Sequence, residues 1–352
     1  MRWHLGREVK HCCSLIAASL SLALLAACSG NETVGPGVVS GGVPFDSVLA
    51  TQALTHRAAQ QKNLYALNYG SSRVTVYAPG SNKVLRAISQ GLYRPGAFTF
   101  DSRENLYVAV HNNVRVYAPG KTTLLRTLHV GYEPYALLFD DQENLYAAEF
   151  NRVLVLRRNG QVLRTITTGV KNPVALAFDG TGDLYVANEY AVTVYAKGTV
   201  KLLRTISQDI LGPSSLAFDG SGNLYVANLG NFYQSGVVSV YAPGSSSVLR
   251  TISQGVNYPR VLAFDSAGNL YVANDSSPTG SVTVYAPGEG SVLRTITDAV
   301  AGPLALALDS ASNLYVGNAD DNTVTEYADG TTSAMLSISK GINRPTALAF
   351  GP

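Results

Sequence analysis

The sequence predicts an all-β protein folded as a closed ring of seven four-stranded sheets, a seven-bladed β-propeller. Three observations predict this fold. A Leu-Tyr pair recurs seven times, at intervals of 39 to 46 residues. Each interval contains four short runs of β-branched and aromatic residues, and one extra run stands alone at the end of the array.

The repeated unit reads NLYVAN, VTVYAPG and VLRTI, followed by a Pro-containing loop and ALAFD. Short β-branched and aromatic runs separated by Gly, Pro, Asn and Asp are typical of strands joined by tight turns. A period near 40 with four strands indicates a propeller blade, because a solenoid repeat contributes fewer strands per turn. The seven pairs are Leu64-Tyr65, Leu106-Tyr107, Leu145-Tyr146, Leu184-Tyr185, Leu224-Tyr225, Leu270-Tyr271 and Leu314-Tyr315.

The two ends of the array predict that the ring closes on itself. The first unit begins at Asn63 with no ALAF run before it, whereas an extra copy, Ala347 to Phe350, follows the last unit. If this last run pairs beside the first, it completes the first blade and removes the exposed edges of an open array. Seven copies therefore predict seven blades. Six blades are the alternative, if one unit lies outside the ring.

The start of the chain predicts export. Arg2, Arg7 and Lys10 precede an apolar run, from Ser14 to Ala27, that is too short to span a bilayer comfortably. It ends in LAAC at Cys28, which resembles the lipobox of bacterial lipoproteins. That resemblance implies cleavage before Cys28 and attachment of a lipid to it. An ordinary secretory signal peptide with a chance cysteine is the alternative.

Three segments are therefore expected. Residues 1–27 are predicted to form a lipoprotein signal peptide, residues 28–61 the lipidated Cys28 with a flexible tether, and residues 62–352 the propeller. The tether is rich in Gly, Ser and Pro, and as a coil it would span on the order of 30 Å. We expect the protein to be held by its lipid at the bacterial cell envelope, in the outer membrane or at the cell surface.

Charge and cysteine content exclude several classes of protein. The chain has 26 basic and 24 acidic residues, and the signal peptide would take three and one of them, leaving 23 of each. A neutral chain without a basic block is a poor candidate for binding nucleic acid. Cys28 would be the only cysteine of the mature protein, so neither disulfides nor a thiolate metal site are expected.

The motifs LYVAN, VTVYAPG and PxALAFD, from about Asn63 to the end, resemble the NHL and YVTN-type propeller repeats of bacterial secreted proteins. The resemblance implies the propeller fold. It leaves the activity open, because relatives of this repeat class include protein-binding sensor domains, sugar-lactone hydrolases and a streptogramin-inactivating lyase. Function must therefore be sought in the loops, not in the fold.

Loop content separates the two faces of the predicted ring. The D-x-x-G-N and A-P-G turns share one face and are nearly identical among the units, so we call it the uniform face. The loops after VAN and the loops before each blade's Pro share the other, the variable face, and differ in length and content. Of 20 tyrosines, seven lie outside the repeat motifs, and all seven belong to the variable face. Aromatic rings with polar tips, gathered on one face, are typical of a recognition surface.

We therefore predict a ligand site on the variable face. Glu133, Tyr135, Tyr258 and Arg260 flank loop prolines and should approach the mouth of the central channel. The longest variable loop, Leu229 to Gly236, is expected to grip the ligand. The predicted ligand-binding residues are Tyr69, Tyr93, Arg94, Tyr132, Glu133, Tyr135, Tyr190, Phe232, Tyr233, Tyr258 and Arg260.

Catalytic chemistry finds little support in the sequence. His56 lies in the predicted tether, His129 in a blade-connecting loop and His111 on the variable face, so no paired-histidine metal site is expected. No nucleophile motif or phosphate-binding glycine loop is present. Lactonase-like relatives bind calcium through scattered oxygen ligands, which Glu149, Asn188, Asp275 and Asn318 could imitate. We predict no catalytic residues and no cofactor, with calcium as the alternative.

The predicted function is that of a monomeric, non-enzymatic envelope lipoprotein that binds a peptide, protein or glycan. A lactonase- or lyase-type enzyme with a divalent metal at the channel mouth is one alternative, and a structural envelope protein is the other.

Overall fold

A computed structural model describes residues 62–230, 236–276 and 280–352 and contains seven four-stranded antiparallel sheets. Each sheet is one blade, and its strands are called A to D from the innermost outward. The predicted all-β, seven-bladed propeller is confirmed, and the six-bladed alternative is wrong. Within these residue ranges, no helix has the length and apolar character that crossing a membrane requires.

The strands of each blade follow, in the order A to D. Blade 1 contains β28 (Pro345–Gly351), β1 (Asn63–Asn68), β2 (Arg73–Tyr77) and β3 (Val84–Ile88). Blade 2 contains β4 (Ala97–Phe100), β5 (Leu106–Val110), β6 (Asn113–Tyr117) and β7 (Leu124–His129). Blade 3 contains β8 (Ala136–Phe139), β9 (Leu145–Glu149), β10 (Arg152–Leu156) and β11 (Val162–Ile166).

Blade 4 contains β12 (Ala175–Phe178), β13 (Leu184–Asn188), β14 (Ala191–Tyr195) and β15 (Leu202–Ile206). Blade 5 contains β16 (Pro213–Phe218), β17 (Leu224–Asn228), β18 (Val237–Tyr241) and β19 (Val248–Ile252). Blade 6 contains β20 (Pro259–Phe264), β21 (Leu270–Asn274), β22 (Ser281–Tyr285) and β23 (Val292–Ile296). Blade 7 contains β24 (Pro303–Leu308), β25 (Leu314–Asn318), β26 (Thr323–Tyr327) and β27 (Leu336–Ile338).

The last strand closes the ring. β28 pairs with β1 along its length, with Leu64 opposite Phe350 and Leu67 opposite Ala347. β28 also contacts the A strands on both sides, β24 of blade 7 and β4 of blade 2. The predicted pairing of the C-terminal run with the first unit is therefore confirmed.

Burial follows the position of each strand in its blade. Every residue of the B strands in blades 2 to 7 is buried, because each sheet packs between two neighbouring sheets and both of its faces are covered. The D strands alternate between exposed and partly buried residues, as in β19 and β23, because they form the outer rim. The rim carries exposed apolar side chains, including Leu125, Leu249 and Leu293.

Aromatic rings join neighbouring blades. In six of the seven interfaces, the tyrosine of a B strand meets the phenylalanine of the next A strand edge to face, with ring centroids 4.9 to 5.1 Å apart. Tyr315 and Phe350 make this contact across the closing interface at 5.0 Å. Between blades 6 and 7, Leu308 takes the phenylalanine's position, beside Tyr271.

The repeated Arg and Asp residues stabilise individual blades. The D-strand arginine of five blades reaches inward to the hydroxyl of the B-strand tyrosine, as Arg294 Nη2 does to Tyr271 at 2.8 Å. In the uniform-face turn of blade 2, Asp101 Oδ1 accepts hydrogen bonds from the backbone N–H groups of Arg103 and Asn105, at 3.0 and 2.8 Å. These contacts make both residue types part of the scaffold.

Candidate functional site

Five side chains in the loops of blades 1 and 2 stack against one another on the variable face. The guanidinium carbons of Arg94 and Arg344 each lie 5.7 Å from the ring centroid of Tyr69. Arg94 also lies 5.8 Å from the centroid of Tyr93, and Tyr93 stacks on His111 at 5.2 Å and 20°. We call Arg344, Tyr69, Arg94, Tyr93 and His111 the arginine–tyrosine row. Arginine over a tyrosine ring is a favourable cation–π arrangement, worth about 0.5–1 kcal/mol at exposed sites.

The row is assembled by loops from both kinds of variable-face connection. Tyr69 follows β1 and His111 follows β5, so each lies in a loop between a B and a C strand. Arg344 precedes Pro345, and Tyr93 and Arg94 precede Pro95, in the loops that lead to the A strands of blades 1 and 2. The backbone N–H of Tyr69 donates to the Arg344 carbonyl at 3.2 Å, which ties two of these loops together. The backbone N–H of Arg94 donates to Ser72 Oγ at 3.1 Å.

Three members of the row have left-handed backbone conformations. Arg94, His111 and Arg344 have φ values of 44°, 49° and 51°. A non-glycine residue in this region costs about 1 kcal/mol or more, because its Cβ crowds the backbone. At the same position before the loop Pro, blades 5 and 7 have Gly212 and Gly302, with φ of 60° and 56°. Glycine therefore fits this position, yet the row carries arginine there.

A second cluster lies in blade 3, where Glu149 replaces the Asn that ends most B strands. Glu149 is fully buried, and Arg152 Nε donates to its Oε2 at 2.7 Å. Burial raises the pKa of Glu149, although the hydrogen bond and charge of Arg152 and the backbone N–H of Tyr132 oppose this. The guanidinium of Arg152 also lies 5.1 Å from the ring centroid of Tyr132, which is 55% exposed.

A third cluster lies in blade 4. Lys171 Nζ is 3.3 Å from Glu189 Oε2 and 6.0 Å from the ring centroid of Tyr190. Partial burial opposes ionisation of Glu189, but hydrogen bonds from Asn172, Tyr190 and Lys171 together lower its pKa. Tyr190 is 56% exposed, so its ring is available to a ligand.

The remaining predicted site residues occupy other positions on this face. Arg260 Nε pairs with Asp275 Oδ2 at 2.9 Å in blade 6, two blades away from blade 1 of the row, and Tyr258 is exposed beside it. Glu133 Oε1 lies next to Gly96 at the start of the blade 2 A strand, and Tyr135 is half-buried at the start of the blade 3 A strand. Phe232, Tyr233 and Cys28 lie outside the described residues.

Sequence reasoning missed the residues that position the variable-face loops. In five blades, the Asn that ends the B strand accepts a backbone N–H from the loop before the A strand and donates to a hydroxyl on the C strand. In blade 4, Asn188 Oδ1 accepts from Lys171 N at 2.9 Å, and its Nδ2 donates to Thr193 Oγ1 at 2.9 Å. The paired occurrence of VAN and VTV in the same units is the sequence signal that could have identified this clamp.

The side chains considered as calcium ligands have protein partners in separate blades. Asn188 and Asn318 act as loop clamps in blades 4 and 7, Glu149 pairs with Arg152, and Asp275 pairs with Arg260. Across residues 62–230, 236–276 and 280–352, no three carboxylate, histidine or thiol side chains are grouped closely enough to hold a metal ion.

Solved structures share the fold. No protein-family model matches the chain, and no curated protein matches it. A functionally unknown protein from Desulfotomaculum acetoxidans superposes with a TM-score of 0.69 at 12% identity, covering 82% of this chain and 98% of that one. The WD40 β-propeller domain of Doa1 superposes with a TM-score of 0.64 at 14% identity, covering 78% of this chain and 92% of that one.

A computationally designed protein, Ika8, gives a TM-score of 0.63 at 17% identity, covering 83% of this chain and 94% of that one. At these identities, the three likenesses show a β-propeller and leave the family and the activity unassigned.

Proposed function

We propose that the protein is a non-enzymatic lipoprotein of the bacterial cell envelope, and that it binds a peptide, protein or glycan through its variable face. One observation carries the proposal. Tyr93, Tyr132 and Tyr190, each 55–56% exposed, stand on three successive blades of this face, and each lies against a cationic side chain. The turns of the uniform face contain no aromatic residue. Exposed aromatic residues with arginine are enriched where proteins meet partners.

The direction of the first strand supports this choice of face. β1 begins at Asn63 on the uniform face and runs toward the variable face, where it ends at Asn68. A lipid on Cys28 would therefore be connected, through residues 28–61, to the uniform face. The variable face would then be directed away from the membrane and remain open to a ligand.

Replacing Tyr93, Tyr132 and Tyr190 together with Ser is expected to reduce ligand binding at least tenfold without lowering the melting temperature. The three rings are more than half exposed, so they contribute little to the core but would form the contact surface. Binding to arrays of envelope-derived peptides and glycans, followed by titration of each hit, measures the effect. Differential scanning calorimetry measures the stability.

The matched control replaces Leu125, Leu249 and Leu293 with Ser, because these side chains are equally exposed (52–55%) but lie on the outer rim. Binding should survive in this control. Equal loss in both triple variants, or no loss in the tyrosine variant, would refute the proposed site. Loss of binding on addition of a chelator would instead favour the metal-dependent enzyme.

A further inference from the structure

We propose that the arginine–tyrosine row binds an acidic peptide segment, with Arg94 and Arg344 pairing with its carboxylates. The inference deepens the proposed function by naming the ligand chemistry and the part of the face that recognises it. It is carried by three features of the row: its uncompensated charge, the way its rings are covered, and the backbone positions at which its arginines are kept.

The two arginines of the row form no ion pair with an acidic side chain. Six ion pairs form among the described residues, and neither Arg94 nor Arg344 takes part in any of them. Both side chains are exposed. Their other contacts are with tyrosine rings, so the hydrogen-bonding edges of the guanidinium groups remain available. An exposed guanidinium presents a planar pair of donors that matches a carboxylate in two parallel hydrogen bonds.

Two other arginines of this face have carboxylate partners. Arg152 pairs with Glu149 at 2.7 Å and Arg260 pairs with Asp275 at 2.9 Å. On the variable face, the arginines of blades 3 and 6 are therefore paired with carboxylates, whereas the two arginines of the row form no ion pair. Complementary charge selects partners and speeds their association, so a ligand with several carboxylates is favoured at this position.

The rings of the row already have planar groups stacked against them. Tyr69 has two guanidinium groups against it, and Tyr93 has one guanidinium and one imidazole. Recognition of a sugar by stacking would need a free ring face. An extended acidic peptide needs instead hydrogen-bond donors for its carboxylates at intervals along its length, with the edges of aromatic rings beside them. The arrangement therefore favours an acidic peptide over an acidic polysaccharide.

The backbone shows that the arginines are kept at a cost to folding. Glycine occupies the position of Arg94 and Arg344 in blades 5 and 7, and Asn172 and Tyr258 occupy it in blades 4 and 6, all with the same sign of φ. Arginines retained only for stability would be expected at positions that suit their backbone. Retaining them where glycine fits better is consistent with selection for a ligand contact.

The test compares binding and stability in the full chain and in an Arg94→Gly/Arg344→Gly variant. The probe is a fluorescent peptide containing six glutamates, and the same peptide with six glutamines is its neutral counterpart. Fluorescence anisotropy at low salt is expected to show binding of the acidic peptide only. The double variant should bind about tenfold more weakly, and 0.5 M salt should weaken binding to the parent.

Ala299→Gly is the matched control. Ala299 lies in a variable-face loop outside the row with φ of 53°, so this substitution relieves the same backbone conformation and removes only a methyl group. It should raise the melting temperature by about 2 °C and leave peptide binding unchanged. In the double variant, the gain from glycine is partly offset by the lost contacts with Tyr69, so its melting temperature should be unchanged or higher. A clear fall would assign the arginines a structural role and overturn the inference.

Three binding results would also overturn it: equal binding of the glutamine peptide, undiminished binding to the double variant, or row-dependent binding of polygalacturonate with no binding of the peptide. The last result would reassign the row to an acidic glycan. Failure of this inference is distinguishable from failure of the proposed function. If the tyrosine variant loses its array ligands while the arginine variant keeps them, the variable face still binds, but not through the charge of the row.

Discussion

Deleting Pro345–Pro352, which removes β28, is expected to abolish cooperative folding. β1 would become an exposed edge, and the buried side chains of Ala347, Leu348 and Ala349 would be lost together with the ring contact of Phe350 to Tyr315. Losses of a buried Leu and a Phe alone cost several kcal/mol, and with the missing strand pairing the total reaches about 10 kcal/mol. That is comparable to the whole stability of a typical domain. Far-UV circular dichroism and urea titration provide the measurement.

A transplanted strand is the control for this deletion. In blade 5, the A strand ends at Phe218 and the turn Asp-Gly-Ser-Gly leads directly to Asn223 and Leu224. Inserting residues 345–350 followed by Asp-Gly-Ser-Gly immediately before Asn63 gives blade 1 the connectivity of the other blades. This variant should fold cooperatively although its C-terminal strand is deleted. A deletion variant that unfolds with the midpoint and slope of the parent would show that β28 is dispensable for ring closure.

The architecture could be predicted from sequence because every blade is built from the same strand and turn motifs. Four short strands, Asp-Asn turns and Pro-Gly turns recur at matching positions, so each unit supports the interpretation of the others. The extra ALAF run could complete a four-stranded blade at one position, beside the strand that lacked a partner. The role of the D-strand arginines was harder to infer, because it depends on Arg294 extending across the intervening C strand to reach Tyr271.

The grouping of site residues could be predicted only in part. Tyr69, Tyr93 and Arg94 were predicted on one face, but the sequence does not show that Arg344, 250 residues further along the chain than Arg94, stacks on the same ring. Ring closure brings the loops of blades 7, 1 and 2 together, and no local pattern carries that information.

Sequence reasoning also treated Arg94 and Arg260 alike. Arg94 precedes its loop Pro and joins the row, whereas Arg260 follows Pro259 and pairs with Asp275. A shift of two positions relative to the Pro therefore sends the two arginines to different partners.

Blade 7 departs from the other blades inside its sheet. Val stands opposite the B-strand tyrosine in the other six blades, whereas Glu326 stands opposite Tyr315. Leu336 takes the position of the D-strand arginine, as the pairing of Val284 with Arg294 in blade 6 shows. Glu326 is 2% exposed, it accepts a hydrogen bond from Tyr315, and its Oε2 has no partner. Burial raises the pKa of Glu326, and the negative charge of Asp309 raises it further. The hydrogen bond from Tyr315 opposes this rise.

Replacing Glu326 with Val and Leu336 with Arg is therefore expected to raise the free energy of unfolding by about 2–3 kcal/mol at pH 7. Exchanging a buried charged group for an apolar residue is often stabilising by 1–4 kcal/mol, and the new arginine would bind the Tyr315 hydroxyl as Arg294 binds that of Tyr271. Glu326→Val alone should gain less, because it leaves that hydroxyl without its partner. Denaturant titration of parent, single and double variants measures the three values.

The gain in the free energy of unfolding of the double variant should increase as the pH rises. Because its pKa is raised above the ordinary glutamate value of 4.5, Glu326 binds its proton more tightly in the folded than in the unfolded protein. The parent therefore loses stability as pH rises from about 4.5 through the folded-state pKa, and the double variant lacks this loss. Glu149, also buried, is present in both proteins and cancels in the difference. The advantage of the double variant should be smaller at pH 4 than at neutral pH. A gain of equal size at both pH values, or a less stable double variant at pH 7, would show that the buried charge of Glu326 does not destabilise the parent protein.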